Sequence, residues 1–204
     1  MKFFLKKANE ANHQWYPIWL MAYLTGMRNG ELFALKWEDL QVQWDTNDAS
    51  KDLIRVSRSY NKRLREYKTT KSGDWRNIPI SRELKVLLRE LKVSKAGDNK
   101  HGSFVLPRFR DWERGYQARV LKMFLNEIGL PEIKFHALRA CFATSLLSEG
   151  VASPVVMKIC GWKDLKTMEF YIRLAGVSEK GVTECLKLFE DPNDILINRS
   201  KLLT

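Results

Sequence analysis

Apolar residues recur at intervals of three and four along most of this chain, a spacing that places them on one face of a helix. Ahead of Gly26 the pattern predicts a helix over residues 14–24, because glycine readily adopts the left-handed conformation that ends helices. Ser81 and Asp164 can cap helix starts, and Pro154 suits a first helical turn. The other predicted helices are residues 29–37, 82–95, 114–128, 136–148, 154–160, 165–174 and 178–190.

Short stretches with strand-like patterns lie between residues 40 and 80. Strands are predicted at residues 40–44 and 53–58, separated by a polar turn, and a third at about residues 76–80. The fold class is therefore α+β: mainly helical, with a small three-stranded antiparallel sheet. We expect an N-terminal extension or linker remnant at residues 1–10, one domain over 11–190 and a tail over 191–204. In the helix at 165–174, Phe170 and Leu174 are four apart and are predicted to form its core face.

The charge balance narrows the class of partner. The chain has 204 residues, 45% of them hydrophobic, which is enough for a core, and its formal net charge is +11. Such a charge favours an extended polyanion as partner, and does not by itself distinguish DNA, RNA and an anionic membrane. The three cysteines, Cys141, Cys160 and Cys185, form no Cys-x-x-Cys pair, which indicates reduced buried thiols and a cytoplasmic protein. No apolar run approaches the roughly 18 residues of a membrane span.

A few residues carry chemistry that suits a phosphate. His136 and Arg139 lie three apart on the first turn of a predicted helix, where backbone N–H groups also attract anions. Arg28 follows the turn at Gly26, and two guanidinium groups can together clamp one phosphodiester. Tyr171 is a poor nucleophile at neutral pH unless a base removes its proton, since the reference pKa of tyrosine is about 10. Taken singly, each of these residues is more typical of a surface turn, a solvated helix or a packed core.

Five segments of the chain together resemble the sequence motifs, called boxes, of the tyrosine recombinases, the phage integrase family. They are Thr25–Leu32 with Arg28, Lys68–Ile80 with Lys71, Lys134–Arg139, Gly161-Trp162 and Met168–Leu174 with Tyr171. The resemblance implies a tyrosine-recombinase catalytic domain in which Tyr171 attacks DNA, forms a 3′-phosphotyrosine and releases a 5′ hydroxyl. It implies no metal or other cofactor, which agrees with the lack of a His, Cys and acid cluster at ligand spacing.

The resemblance also implies a role for each residue. Arg28 and Arg139 would clamp the scissile phosphate, His136 would act as base, and Lys71 would protonate the leaving oxygen, with Lys68 as its competitor. Trp162 stands where most members have histidine; its indole N–H can donate to phosphate but cannot exchange protons, and a purely packing role is the alternative. Glu31 would orient an arginine or His136, unless it is only a charge at a helix start. Ala140 also departs from the family, which often has histidine there.

A basic segment between residues 55 and 76 is predicted to follow the DNA backbone, although a solvated hairpin face has the same composition. The residues predicted to contact DNA are Arg55, Arg58, Lys62, Arg63, Arg65, Lys68 and Arg76.

The predicted function is site-specific DNA recombination by the integrase of a phage or mobile element. The alternatives are nicking and resealing of the type IB topoisomerase kind, or a DNA-binding module without catalysis. The resemblance implies double-stranded DNA as partner, a homotetramer on DNA for the full-length protein, and a place with the nucleoid in the cytoplasm. Members usually carry a core-binding domain ahead of the catalytic one, so we expect this chain to be a fragment of a longer integrase.

Overall fold

The structure is a computed structural model that describes residues 1–69, 75–94 and 102–176. Helices are the main secondary structure in these residues, and most begin or end at the glycines and capping residues that the sequence predicted. Gly26 and Gly161 end helices in the left-handed conformation, Ser81 Oγ accepts from the N–H of Leu84, and Asp164 accepts from the N–H of Lys166. The helices are α1 (Lys2–Glu10), α2 (Tyr16–Thr25), α3 (Asn29–Ala34), α4 (Arg82–Ser94), α5 (Arg110–Glu113), α6 (Gln117–Glu127), α7 (His136–Ser148), α8 (Ser153–Cys160) and α9 (Leu165–Ala175).

A three-stranded antiparallel sheet is present, which confirms the predicted fold class. Its strands are β1 (Leu40–Gln41), β2 (Leu53–Val56) and β5 (Arg76–Pro79), with β2 in the centre and Val56 opposite Arg76. A second ladder pairs β3 (Arg58–Asn61) with β4 (Glu66–Thr69), and these two strands form a hairpin. A hairpin was expected in this basic segment, but its two strands were not assigned, because charged residues interrupt any apolar alternation across them.

Two apolar clusters hold the described residues together. The larger one packs α1, α2, α4 and α6 against the sheet, with the fully buried Trp15, Trp19 and Trp112 near its centre. The smaller one joins α7, α8 and α9 and contains Cys160, Met168 and Tyr171. Tyr171 therefore packs in the smaller cluster, whereas the residues on either side of Arg28, such as Met27 and Leu32, pack in the larger one.

Helix α1 belongs to the larger cluster, which differs from the expected extension at residues 1–10. Phe4, Leu5 and Ala8 are buried, and the ring of Phe4 lies 5.1 Å from that of Trp19. The spacing of these three residues gives a narrow apolar stripe, which is enough to pack a nine-residue helix on the core.

The prediction for the core face of α9 was wrong. Phe170 and Leu174 are 57% and 56% exposed, whereas Met168 and Tyr171 are buried against α7 and α8. A helix with apolar residues on two faces has two possible stripes, and only tertiary packing selects between them.

Other predictions concern residues outside the described part. The helix expected at 178–190, the tail at 191–204, Cys185 and Lys71 all lie there. Cys160 is buried and Cys141 partly buried, and both are free thiols. Among the described residues, no helix is both long and apolar enough to cross a membrane.

Candidate active site

Arg28 is the N-cap residue of α3 and lies two residues after Gly26. Its backbone N–H donates to Glu31 Oε2 at 2.7 Å, while its Nη1 donates to Glu31 Oε1 at 3.1 Å. The side chain is 47% exposed, so the guanidinium faces solvent while the carboxylate orients it. The turn depends on Gly26, since φ there is +61° and a Cβ would lie 2.3 Å from Phe142 Cδ1.

Glu31 also binds a second arginine, Arg76 on β5. The two nitrogens Nη1 and Nη2 of Arg76 donate to the Glu31 carboxylate at 2.9 and 2.7 Å, a bidentate arrangement. Burial alone would raise the pKa of Glu31, but the hydrogen bonds and charges of Arg76 and Arg28 outweigh it and hold the pKa below its ordinary value. Glu31 is therefore a buried carboxylate that joins α3 to β5, and its predicted role in orienting an arginine at the site stays a prediction.

Arg139 is buried in the first turns of α7, with 2% of its surface exposed. Its Nη1 donates to the carbonyl of Gly26 and its Nη2 to the carbonyl of Cys160 at 2.5 Å, while its Nε has no partner among the described residues. Burial lowers the pKa of Arg139 to about 10, so the group keeps its charge at neutral pH. The guanidinium carbon lies 5.3 Å from the centre of the Trp162 ring.

Three arginines converge on the C-terminal end of α8. Arg76 Nε donates to the carbonyl of Ile159 at 2.7 Å, Arg139 Nη2 to that of Cys160, and Arg28 Nη2 to that of Gly161 at 3.4 Å. The last carbonyls of a helix lack intrahelical partners and carry the negative end of its dipole, so guanidinium donors satisfy both requirements. Gly161 is suited to this turn, because a Cβ there would lie 3.0 Å from Arg76 Cδ.

His136, Tyr171 and Trp162 lie next to these arginines. His136 is the first residue of α7, and its Nε2 lies 3.4 Å from the hydroxyl of Tyr171. Burial, with the charges of Arg139 and Arg28, lowers the pKa of His136, which favours a neutral ring able to accept a proton.

The Tyr171 ring stacks on Trp162 at 4.4 Å between centroids and is 6% exposed. Burial raises the pKa of Tyr171, and the charge of Arg139 acts against that rise. The hydroxyl therefore remains protonated at neutral pH until a base takes its proton.

A pocket of about 220 Å³ opens between α2, α3, α6 and α7. Arg28, His136 and Arg139 form its polar wall together with Asn29 and Gln117, two residues that the sequence did not single out. Its volume and positive charge suit a phosphate group. Within the described residues no group of three or more His, Cys, Asp or Glu side chains could hold a metal ion.

The residues predicted to contact DNA divide into two groups. Arg55, Arg63 and Arg65 are exposed, and Arg55 stacks on Trp75 at 4.9 Å. Lys68 forms an ion pair with Glu66 at 3.3 Å and stays partly exposed.

Three of the residues predicted to contact DNA are bound to other groups of the protein. Arg58 forms ion pairs with Glu38 and Asp39 at 2.8 and 2.6 Å. Lys62 donates to the carbonyl of Trp112, and Arg76 binds Glu31. Composition does not reveal which basic residues face acceptors on other segments, and DNA contact by these three residues stays a prediction.

Comparison with known proteins identifies the family of this chain. The phage integrase family profile matches residues 2–176, which covers every described element. This chain belongs to the phage integrase family. A XerC-like tyrosine recombinase of Caldanaerobacter subterraneus subsp. tengcongensis is 28% identical over 95% of this chain and 53% of that protein. A XerD tyrosine recombinase of Lacticaseibacillus casei is 25% identical over 78% of this chain and 50% of its own length. This integrase-family chain therefore spans about half the length of these relatives.

Solved structures share the fold. The Tn1549 transposon integrase in complex with transposon right end DNA superposes with a TM-score of 0.66 at 20% identity, covering 83% of this chain and 58% of that chain. XerH recombinase bound to its difH substrate gives a TM-score of 0.64 at 17% identity, covering 92% of this chain and 52% of that chain. The fold is that of tyrosine recombinase catalytic domains.

Proposed function

We propose that this chain is the catalytic domain of a site-specific DNA recombinase that cleaves and rejoins double-stranded DNA through a 3′-phosphotyrosine. The observation that carries the proposal is the 3.4 Å approach of the Tyr171 hydroxyl to His136 Nε2, beside a pocket lined by Arg28 and Arg139. Family membership supports the reaction class, and the DNA-bound structures of the Tn1549 integrase and XerH support DNA as the substrate.

In the proposed reaction, Tyr171 Oη forms a bond to phosphorus while the bond from phosphorus to the 5′ oxygen breaks. His136 accepts the phenolic proton, which the raised pKa of Tyr171 would otherwise retain at neutral pH. Arg28 and Arg139 hold the nonbridging oxygens as negative charge develops on them, and the Trp162 indole N–H adds a neutral donor. The 5′ oxygen takes a proton from Lys71, for which Lys68 is the alternative, and rejoining reverses these steps.

Two further proposals concern assembly and location. On DNA we expect a homotetramer that exchanges strands between two sites, and we place the protein with the nucleoid in the cytoplasm, where its substrate lies.

A nicked suicide substrate tests the proposal, because cleavage releases a short fragment and traps the covalent intermediate. The chain is incubated with this DNA without divalent metal, and the adduct is measured on a denaturing gel. Tyr171→Phe should abolish the adduct. Tyr116→Phe is the matched control, since Tyr116 is 45% exposed, and should leave the yield unchanged. An adduct that persists in Tyr171→Phe would refute the assignment of the nucleophile.

A further inference from the structure

Two amide side chains, Asn29 and Gln117, share the 220 Å³ pocket with the arginines and His136. Asn29 is the first residue of α3 and directly follows Arg28, and Gln117 is the first residue of α6. Both are partly buried, and the other residues that line the pocket are cationic, apolar or His136. An amide has a carbonyl end and an NH₂ end, so its effect on an anion depends on which end faces the pocket.

Hydrogen bonds determine the orientation of both amide groups. Lys62 Nζ lies 2.7 Å from Gln117 Oε1, and Trp112 Nε1 lies 2.8 Å from Asn29 Oδ1. An ammonium and an indole N–H only donate, so the atom each one meets must be the amide oxygen. The NH₂ groups are therefore directed away from Lys62 and Trp112.

Lys62 and Trp112 are themselves held firmly. Lys62 Nζ also donates to the Trp112 carbonyl at 2.7 Å and lies 5.7 Å from the centre of the Phe33 ring. Trp112 is fully buried. Burial lowers the pKa of Lys62 to about 8, which leaves it mostly charged at neutral pH. One inward-facing lysine and one buried tryptophan thus connect the hairpin to both amides.

We infer that Asn29 and Gln117 donate amide N–H bonds to phosphate oxygens of the cleaved DNA strand, and that Lys62 positions Gln117 for this contact. The inference rests on the proposed function, because it takes the pocket to be the site of the scissile phosphate. Two neutral donors bind nonbridging oxygens without adding to the repulsion between Arg28 and Arg139.

The test uses variants that remove the donors but keep side-chain size: Gln117→Met, Asn29→Leu and Lys62→Met. Gln41→Met is the control, because Gln41 is exposed on the edge strand β1. Loss of a hydrogen bond to a charged phosphate should lower the cleavage rate on the nicked substrate about 10- to 100-fold. If Lys62 acts through Gln117, the double variant Lys62→Met with Gln117→Met should be no slower than Gln117→Met alone.

A second readout separates phosphate contact from general damage to the fold. Methylphosphonate is placed at the scissile position or at either neighbouring position, which removes one charged acceptor oxygen. When methylphosphonate replaces the phosphate that the amide contacts, Gln117→Met or Asn29→Leu should lower the cleavage rate by only about twofold or less. The inference would be overturned if an amide variant lowered the cleavage rate equally on all substrates. It would also be overturned if the amide variants cleaved normal DNA as fast as Gln41→Met does.

The same comparison is made for DNA affinity in the Tyr171→Phe background, where no cleavage occurs. If the unaltered chain forms no covalent adduct, the proposed function fails, yet the affinity measurement still decides whether the amides contact phosphate. If the chain cleaves DNA and the amide variants lose neither rate nor affinity, the amide contact alone fails.

Discussion

Replacing Arg76 with methionine should destabilise the domain, because Arg76 is the main partner of a buried carboxylate. The Arg76 and Glu31 side chains are 11% and 6% exposed, and two hydrogen bonds of 2.9 and 2.7 Å join them. Removal of one partner from such a pair costs about 3–5 kcal/mol, since the other charge stays buried. Arg28 keeps two bonds to Glu31, so we expect the lower end, about 3 kcal/mol.

Urea unfolding followed by tryptophan fluorescence measures this loss, and the chain has seven tryptophans. The urea concentration at the unfolding midpoint should fall, while the dependence of the unfolding free energy on urea concentration should stay unchanged. The melting temperature should fall by about 6–12 °C for a domain of this size. Arg55→Met is the matched control, because Arg55 lies on the neighbouring strand and is exposed. If the two variants unfolded within about 0.5 kcal/mol of each other, the reasoning about the buried pair would be refuted.

The pH dependence gives a second check on the same variant. The pKa of Glu31 lies below its ordinary value of 4.5 in the folded chain, because Arg76 and Arg28 outweigh the effect of burial. A group with a depressed folded-state pKa stabilises the fold above the unfolded-state pKa, and that contribution is lost as the pH falls through the folded-state pKa. The stability gap between the unaltered chain and Arg76→Met should therefore narrow below about pH 4.5.

Three further predictions follow from local geometry. Gly26→Ala should destabilise by about 2–3 kcal/mol in urea unfolding, because the new Cβ would meet Phe142 at 2.3 Å and φ is +61°. Lys85→Met should cost about 3–5 kcal/mol in the same assay, since the buried Asp52 carboxylate lies 2.6 Å from Lys85 Nζ and would lose this ion pair. On the acid side of the pH–rate profile for cleavage, the rate should fall to half its maximum below pH 6.5, because burial and two arginines lower the pKa of His136. A midpoint above pH 6.5 would contradict the assignment of His136 as the base.

Local signals were sufficient for most of the helical framework. The predicted helix at residues 136–148 matches α7, and Ser81 and Asp164 do cap α4 and α9. These features depend on residues close in sequence, where glycine conformation and side-chain caps act directly. The strand at 40–44 was predicted too long, because the Gln43 N–H donates to the Asp52 side chain at 2.9 Å instead of extending a ladder.

Contacts between distant segments could not be predicted in the same way. Arg76 and Lys62 belong to a basic run that resembles any DNA-facing surface, yet each meets an acceptor on another element. Which way a side chain points depends on where the hairpin lies against α3 and α6. Gln117 had no signal in the sequence at all, because an isolated glutamine at a helix start is common on protein surfaces.

The charge arrangement around α8 suggests why the site needs three arginines and one carboxylate. Glu31 neutralises Arg76, which can then be buried and brace the turn at Gly161 without adding to the field in the pocket. Arg28 and Arg139 carry the remaining positive charge, and carbonyls at the end of α8 hold both groups in place. A phosphodiester in its ground state carries one negative charge, and the phosphorane-like transition state carries more. In the proposed reaction, two fixed guanidinium groups would therefore interact more strongly with the transition state than with bound DNA, and that difference would accelerate strand cleavage.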